Sequence, residues 1–205
     1  MARPLRHISP DGYYHVINRG NRRQTLFHDR EDYEAFIVLF WKSCALVNMR
    51  VLAFVLMPNH FHMLLQPRHA GDIPRMMQWL CTKYATHFHE RHGTTGHVFQ
   101  GRYRCLAVES DEHLWNAAAY IERNATRAGL VREVSEWPWG SGILLDDKDR
   151  PRWMLPLLAS PERWRRELAG ADTPEVLEAI RDRVRTGHPY GSPSWSYALR
   201  HDNAR

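Results

Sequence analysis

Apolar residues in this chain form short runs typical of β-strands, and segments with helical spacing lie between and after these runs. Four runs have the length and apolar character of β-strands, at residues 12–20, 49–57, 61–66 and 98–108. After the first, third and fourth runs, apolar residues recur at helical intervals, over residues 30–47, 72–93 and from Ser110 or Asp111 to Gly129. This order predicts an α+β protein with a ferredoxin-like βαββαβ antiparallel sheet, followed by one additional helix.

Polar and turn-forming residues mark where these elements begin and end. Asp29 has the position of a helix cap, and Asn48 is placed to end the first helix. Pro58 and Asn59 predict a turn or a strand irregularity before the third strand, and Gly101 predicts a bulge or a close approach in the fourth. The first strand ends in a polar, basic turn, Arg19-Gly20-Asn21-Arg22-Arg23.

The character of the chain changes after residue 131. Residues 137–142 are aromatic and turn-rich, and residues 146–151 read as a charged loop. We therefore predict one domain over residues 1–145 and a C-terminal extension over residues 146–205. The extension contains a helix from about Thr173 to Arg185, and we expect it to pack against the domain with frayed ends.

Composition narrows the class of protein. No apolar run approaches the roughly 18 residues that a membrane-spanning helix needs, and the first ten residues lack the apolar core of a signal peptide. The three cysteines are far apart and show no metal-ligand spacing, which fits a reducing compartment. We expect a cytoplasmic protein with no membrane partner.

Positive charge is unevenly distributed along the chain, whose formal net charge is +5. Residues 1–30 and residues 66–104 each hold six basic and two acidic residues, whereas residues 109–149 hold nine acidic and four basic residues. If the two basic stretches converge in the fold, they form a one-sided surface that suits a polyanion. The alternative is a set of scattered, solvated arginines.

Two histidine pairs have the His-x-His spacing, His60 with His62 and His87 with His89. On a strand, side chains alternate between faces, so His60 and His62 share one face and Phe61 points to the other. In a helix, positions two apart differ by about 200°, so His87 and His89 face opposite ways. Only the first pair can hold a divalent ion, and it leaves positions for a third ligand and for substrate oxygens.

The third predicted helix offers the missing groups. Tyr120 and Asn124 are four residues apart and share a helix face, so an amide oxygen could reach the ion while a phenol stands beside it. The alternative is that Tyr120 packs in the core and Asn124 is a polar group at the end of the helix.

Several stretches, taken together and in this order, resemble one known family. They are residues 15–20 (HVINRG), 57–65 (MPNHFHMLL), 96–103 (GHVFQGRY) and 120–124 (YIERN). The chain resembles the REP-associated tyrosine transposases over residues 12–140; these are relatives of the IS200/IS605 transposases in the HUH endonuclease superfamily. Residues 185–192 also resemble a segment of the C-terminal extensions of one branch. Ala125 is a departure, because many relatives have proline there.

The resemblance implies a specific site and reaction. Tyr120 would be the catalytic nucleophile, and His60, His62 and Asn124 would hold Mg²⁺ or Mn²⁺. The tyrosine would attack single-stranded DNA beside a REP hairpin, forming a 5′-phosphotyrosine from which strands can be rejoined. The residues expected to contact DNA are Arg19, Asn21, Arg22, Arg23, Arg102 and Arg104. Such a protein would act at the nucleoid.

Two rival functions follow from the same residues. One is a catalytically silent protein of this fold that only binds hairpin DNA. The other is a metal-dependent hydrolase of small phosphate esters, against which the basic stretches and the Tyr120/Asn124 spacing argue. Both monomeric and homodimeric action occur among the proteins that the chain resembles, so a monomer and a homodimer both stay open.

Overall fold

The sheet of this protein carries its candidate site. A computed structural model describes residues 8–110, 112–144, 154 and 161–201. Four strands, β1 (Tyr13–Arg19), β2 (Arg50–Met57), β3 (His60–Gln66) and β4 (Arg104–Val108), form one antiparallel sheet in the order β2-β3-β1-β4. The main helices within this order are α1 (Arg30–Val47), α2 (Asp72–His92) and α3 (Glu112–Glu122). The predicted α+β ferredoxin-like sheet with an additional helix is therefore confirmed.

Four further α-helices follow in the described part of the chain. They are α4 (Asn124–Arg127), α5 (Pro161–Ala169), α6 (Pro174–Thr186) and α7 (Pro193–His201). The helix expected from about Thr173 to Arg185 is observed as α6, whereas α5 and α7 were not predicted. The expected boundary after residue 145, the charged loop at 146–151 and the alternative helix cap Asp111 lie outside the described residues. None of the helices in the described part of the chain has the length and apolar character that a bilayer-spanning segment requires.

The ends of α1 are determined by local chemistry. The side chain of Asp29 accepts hydrogen bonds from the backbone N–H groups of Glu31 and Asp32, which would otherwise lack partners in the first turn. Asn48 adopts the left-handed conformation that ends a helix. Nη2 of Arg91 in α2 lies 2.7 Å from Asp29, and its Nη1 lies 2.6 Å from the buried Asp32. The start of α1 is thereby joined to the end of α2.

Both faces of the sheet are covered. One face packs against α1 and α2 through apolar side chains that include Phe36, Phe61 and Met63. The opposite face, which includes Leu64, packs against α3 and against parts of α5 and α6. Because side chains alternate along β3, the histidines at its start lie on the second face, beneath α3.

The fourth strand is shorter than the sequence predicted, since β4 begins at Arg104 and not at residue 98. Residues 98–100 instead pair with the end of β1, where the backbone N–H of Asn21 donates to Val98 and that of Gln100 donates to Arg19. The chain then bends at residues 100–102 before it rejoins the sheet. Arg102 therefore lies outside the strand that carries Arg104.

The third helix was predicted to run unbroken to Gly129, but it is divided into α3 and α4 at Arg123, whose ψ is 2°. The carbonyl of Tyr120 accepts a hydrogen bond from Nη2 of Arg127 at 2.8 Å, a side chain taking the place of the usual backbone donor. Gly129 then adopts a positive φ of 70° and ends the segment as expected.

Replacing Leu64 by alanine tests whether the second face of the sheet is covered as described. Leu64 is fully buried, so the change is expected to lower the free energy of unfolding by about 2–5 kcal/mol through lost contacts and a cavity. Leu46, which is 42% exposed on α1, is the matched control and should lose no more than about 0.5 kcal/mol. Urea unfolding followed by tryptophan fluorescence measures both; equal losses would contradict the covered face.

Candidate active site

Strands β1 and β3 bring three imidazoles together on one face of the sheet. In the antiparallel register, Ile17 lies opposite His62 and Arg19 lies opposite His60, and His15 shares their face. Nε2 of His15 lies 2.8 Å from Nδ1 of His62, and the ring centroids of His60 and His62 are 5.1 Å apart. The expected common face of His60 and His62 is thus present, and it includes a third histidine that sequence reasoning did not assign.

All three imidazoles favour the neutral form. Burial lowers the pKa of His15 to about 3, and burial together with the charge of Arg19 lowers that of His60 to about 4. Burial, followed by the neighbouring imidazoles and arginines, holds the pKa of His62 well below its usual value. Neutral imidazole is the form that binds metal ions, so these groups are in their ligand state near neutral pH.

Hydrogen bonds select which nitrogen of each imidazole is available. Nδ1 of His60 lies 2.7 Å from Oδ1 of Asn59, to which it can donate its proton. Nδ1 of His62 can donate in the same way to Nε2 of His15. In this arrangement Nε2 of both His60 and His62 carries the lone pair that an ion would need, and a hydrogen bond on the far nitrogen is the usual way of orienting a ligating histidine.

Tyr120 lies against this cluster. It projects from α3, is 7% exposed, and presents its ring nearly edge-on to the imidazoles. The ring centroid of Tyr120 is 5.9 Å from that of His62 and 6.2 Å from that of His15. The structure therefore brings the predicted nucleophile and the predicted ligand pair side by side.

Asn124 begins α4, immediately after the break that follows Tyr120's helix. Its side-chain Nδ2 is buried and has no hydrogen-bond partner in the described part of the chain. Rotating the amide by 180° would put Oδ1 where Nδ2 now lies. The two orientations are distinguished only by the hydrogen-bond partners around the amide. An amide with an unmet buried atom fits a ligand whose oxygen binds an ion.

The predicted ligands, two imidazole nitrogens and one amide oxygen, would make a mixed donor set that suits Mn²⁺ and accepts Mg²⁺ when phosphate and water oxygens complete the shell. Among the residues described, no group of three or more histidine, cysteine, aspartate or glutamate side chains is arranged to hold a metal ion. The third ligand that the sequence predicts, Asn124, is of another type.

Arg127 is a second residue that sequence reasoning missed. Its guanidinium carbon lies 4.3 Å from the centroid of the Tyr120 ring, and its Nη1 lies 2.8 Å from Asp172. The sequence did contain a signal for this contact. Arg127 follows Tyr120 by seven residues, a spacing that spans two helical turns and returns to the same face of a helix.

The basic turn after β1 is attached to the hairpin that carries His60. The N–H of Gly20 donates to the carbonyl of Asn59 at 2.9 Å, and the Asn59 side chain donates to the carbonyl of Arg23. Gly20 is required here, because a Cβ would collide with the backbone oxygen of Gln24. Arg22 and Arg23 adopt positive φ angles and are exposed.

The remaining predicted DNA contacts divide into two groups. Arg102 is exposed at the end of the segment that is hydrogen-bonded to the basic turn through Val98. Arg104 instead donates from Nη1 to the carbonyls of Val184 and Arg185, at 2.6 and 2.5 Å. A guanidinium at the C-terminal end of α6 complements the helix dipole, so the structure gives Arg104 a packing contact and does not place it in the basic turn.

The fold was compared with those of solved structures. The structure of a REP-associated tyrosine transposase bound to a REP hairpin aligns with a TM-score of 0.56 at 22% identity, covering 69% of this chain and 82% of that one. A "putative transposase" from Deinococcus radiodurans R1 aligns with a TM-score of 0.40 at 19% identity, covering 63% and 92%. No curated protein sequence gives a significant match.

The sequence itself matches a family model over residues 9–124, which begins before β1 and ends at Asn124. The matched region contains the strands that carry the three histidines and the helix that carries Tyr120, and it covers more than half of the chain. The chain belongs to the family of IS200-like transposases.

Proposed function

We propose that this transposase-family protein is a metal-dependent endonuclease and strand transferase for single-stranded DNA at REP-type hairpins, with Tyr120 as its nucleophile. The observation that carries the proposal is the packing of the Tyr120 ring against the hydrogen-bonded pair His15 and His62. The hairpin bound to the similarly folded REP-associated transposase supports the choice of substrate.

The proposed reaction exchanges one phosphodiester for another. The phenol oxygen of Tyr120 attacks the phosphorus, and the bond from phosphorus to the 3′ oxygen breaks. The phenol loses one proton and the leaving 3′ oxygen gains one, which makes it a 3′-hydroxyl. The fragment on the 3′ side of the break stays joined to Tyr120 through its 5′ phosphate, so no water is consumed and a 3′-hydroxyl can later reverse the step. An unperturbed phenol, with a pKa of about 10, is a weak nucleophile at neutral pH and needs help at the phosphate.

We assign that help to the cluster described above. His60, His62 and Asn124 would hold Mg²⁺ or Mn²⁺, which would supply Lewis-acid stabilisation of the charge that develops on the phosphate. His15 would keep His62 in the tautomer with a free Nε2. Because Tyr120 already lies beside His62 of the same chain, we propose that a single copy suffices and that a homodimer is not needed for the tyrosine to reach the ligands.

The basic turn supplies the proposed contact with DNA. Arg19 lies beside His60 in the register, and Asn21, Arg22 and Arg23 follow it, with Arg102 on the adjoining segment. Guanidinium groups bind phosphates and base edges readily. Arg104, held at the end of α6, is the least suited of the predicted contacts. We place this activity in the cytoplasm, at the nucleoid.

One observation favours the silent hairpin binder as a second candidate. Tyr120 is only 7% exposed and is covered by the Arg127 guanidinium, so a phosphate must displace or approach past neighbouring groups to reach the phenol. A binding protein of this fold would hold the hairpin without forming a covalent bond.

The adduct test separates the two candidates. A hairpin-bearing single strand labelled at its 3′ end should become covalently attached to the protein in the presence of Mn²⁺, while the 5′-labelled fragment should be released. Tyr120→Phe should abolish the attachment, because phenylalanine lacks the attacking oxygen, and a denaturing gel reads the result.

Tyr84→Phe and Tyr103→Phe are the matched controls for that experiment, and both should retain the adduct. An adduct that survives Tyr120→Phe would move the nucleophile elsewhere. Hairpin binding without any adduct from the unaltered protein would support the silent binder.

The metal ligands are tested on the Tyr120→Phe background, where DNA stays intact. Replacing His60 and His62 by alanine should remove saturable Mn²⁺ binding to the hairpin complex in calorimetry, because the ion loses two of its proposed protein ligands. Hairpin affinity should stay within about twofold, since binding depends on contacts to phosphate and base edges elsewhere. Simultaneous loss of Mn²⁺ and hairpin binding would point to a structural role for the pair.

His15→Asn removes the orienting imidazole and leaves both proposed ligands in place. It should weaken Mn²⁺ binding by about 10-fold, at the lower end of the effect of losing an outer-shell partner. Unchanged Mn²⁺ affinity would show that His15 does not orient His62.

Exchanging Arg22 and Arg23 for alanine tests the basic turn. If both contact phosphates, the plot of log affinity against log salt concentration should become shallower by about 1.4 to 1.8. Arg30→Ala is the matched control, because Arg30 is paired with Glu34 on the exposed side of α1, and its salt slope should equal that of the unaltered protein. A slope unchanged by the double exchange would exclude the turn from the DNA contact.

A further inference from the structure

Arg127 is the point at which the proposed nucleophile meets the C-terminal part of the chain. Its guanidinium lies over the Tyr120 ring, 4.3 Å from the centroid, and Nη2 donates to the Tyr120 carbonyl at 2.8 Å. Nη1 lies 2.8 Å from Oδ2 of Asp172. One side chain thus contacts both the ring and the backbone of Tyr120 while a carboxylate holds its other end.

Asp172 lies between α5 and α6 and is almost fully enclosed, with 5% of its side chain exposed. Its other oxygen, Oδ1, accepts a hydrogen bond from Nη1 of Arg123 at 2.6 Å. Arg123 also donates to the carbonyls of Glu167 and Leu168 at the end of α5. The two arginines therefore share one carboxylate, yet they have different neighbours: Arg123 fastens α5, and Arg127 contacts Tyr120.

A partly buried guanidinium that is held by a carboxylate restricts the aromatic ring beneath it. A cation over the face of a tyrosine is attracted by the ring, and this attraction increases when both groups are shielded from water. The fork of an arginine holds its donors in one plane, so the bond to Asp172 fixes the orientation that Arg127 presents to the ring. The same Tyr120 ring also packs nearly edge-on against the imidazoles of His15 and His62.

We infer that Arg127, held by Asp172, is a positioning residue for Tyr120, and that the segment between α5 and α6 thereby takes part in the chemistry of a site that lies on other elements. The inference rests on the proposed role of Tyr120 as nucleophile. Asp172 lies outside the region, residues 9–124, over which the chain matches its family, so this support is a feature of the chain beyond the matched region.

The role differs from a purely structural clamp and from a direct DNA contact. A structural clamp would affect stability without changing the rate of a folded enzyme. A direct contact with DNA phosphate would weaken hairpin binding. Positioning changes the rate of the covalent step while leaving the affinity for the hairpin unaltered, because misplacing a reacting group by about an ångström can cost on the order of 100-fold in rate.

The test measures single-turnover adduct formation at saturating protein, together with the hairpin dissociation constant, for Arg127→Gln, Asp172→Asn and their combination. Arg127→Gln should slow adduct formation by about 10- to 100-fold, with the dissociation constant within about twofold of the unaltered value. Asp172→Asn should slow it less, and the double variant should be no slower than Arg127→Gln alone, because the two residues act as one unit.

Arg123→Gln is the matched control, since it breaks a bond to the same carboxylate but does not touch Tyr120. Assayed below its own melting temperature, it should form adduct within about threefold of the unaltered rate. Arg127→Lys keeps a cation near the ring and should recover part of the rate lost in Arg127→Gln.

A second measurement does not depend on cleavage. Fluorotyrosine incorporated in place of tyrosine gives a ¹⁹F resonance for Tyr120, assigned by its absence in Tyr120→Phe. That resonance should shift and broaden in Arg127→Gln and in Asp172→Asn but not in Arg123→Gln.

The outcomes are distinct. Absence of adduct from the unaltered protein contradicts the proposed function, and the ¹⁹F resonance then decides the positioning role by itself. Adduct formation at the unaltered rate in Arg127→Gln, a parallel loss of hairpin affinity, or an equal loss of rate in Arg123→Gln each overturns the inference. An unchanged ¹⁹F resonance overturns it as well.

Discussion

A single hydrogen bond, between Nδ1 of His62 and Nε2 of His15, connects the chemistry of this protein to its sheet. Imidazoles removed from water are costly to charge, so each must stay neutral and find a partner. The partner is available only because β1 lies beside β3 in the register that puts Ile17 opposite His62. The strand order is therefore a requirement of the site as well as of the core.

The helix that carries Tyr120 is held at its far end by a second buried polar group. Glu122 is 4% exposed and accepts hydrogen bonds from Oγ of Ser141 at 2.8 Å and from Nε1 of Trp164 at 3.2 Å. Ser141 in turn bonds to the backbone of Phe54 in β2. A carboxylate with several donors is satisfied despite its burial, and it joins α3 to the sheet and to α5 at once. The position of Tyr120 therefore depends on contacts made far along the chain.

Features decided by neighbours in sequence were predictable. The cap at Asp29, the end of α1 at Asn48 and the alternation of faces along β3 all follow from local geometry, and the structure has them. The contact of His15 with His62 depends on which strands are adjacent, and apolar periodicity does not reveal this. The ferredoxin-like strand order does place β1 beside β3. The break before α4 coincides with a hydrogen bond from the Arg127 side chain to the carbonyl of Tyr120, a contact that apolar periodicity does not reveal.

The basic turn has one further consequence, for how such a protein can change its target. Its backbone is tied to the hairpin that carries His60 through Gly20 and Asn59, while the side chains of Arg22 and Arg23 point to solvent. In the DNA-contacting role proposed for the turn, exchanging those side chains would alter the surface offered to DNA and keep the backbone contacts between the turn and the His60 hairpin. In that role, single substitutions at Arg22 or Arg23 would give natural selection and protein engineers new target preferences without replacing any of the histidines.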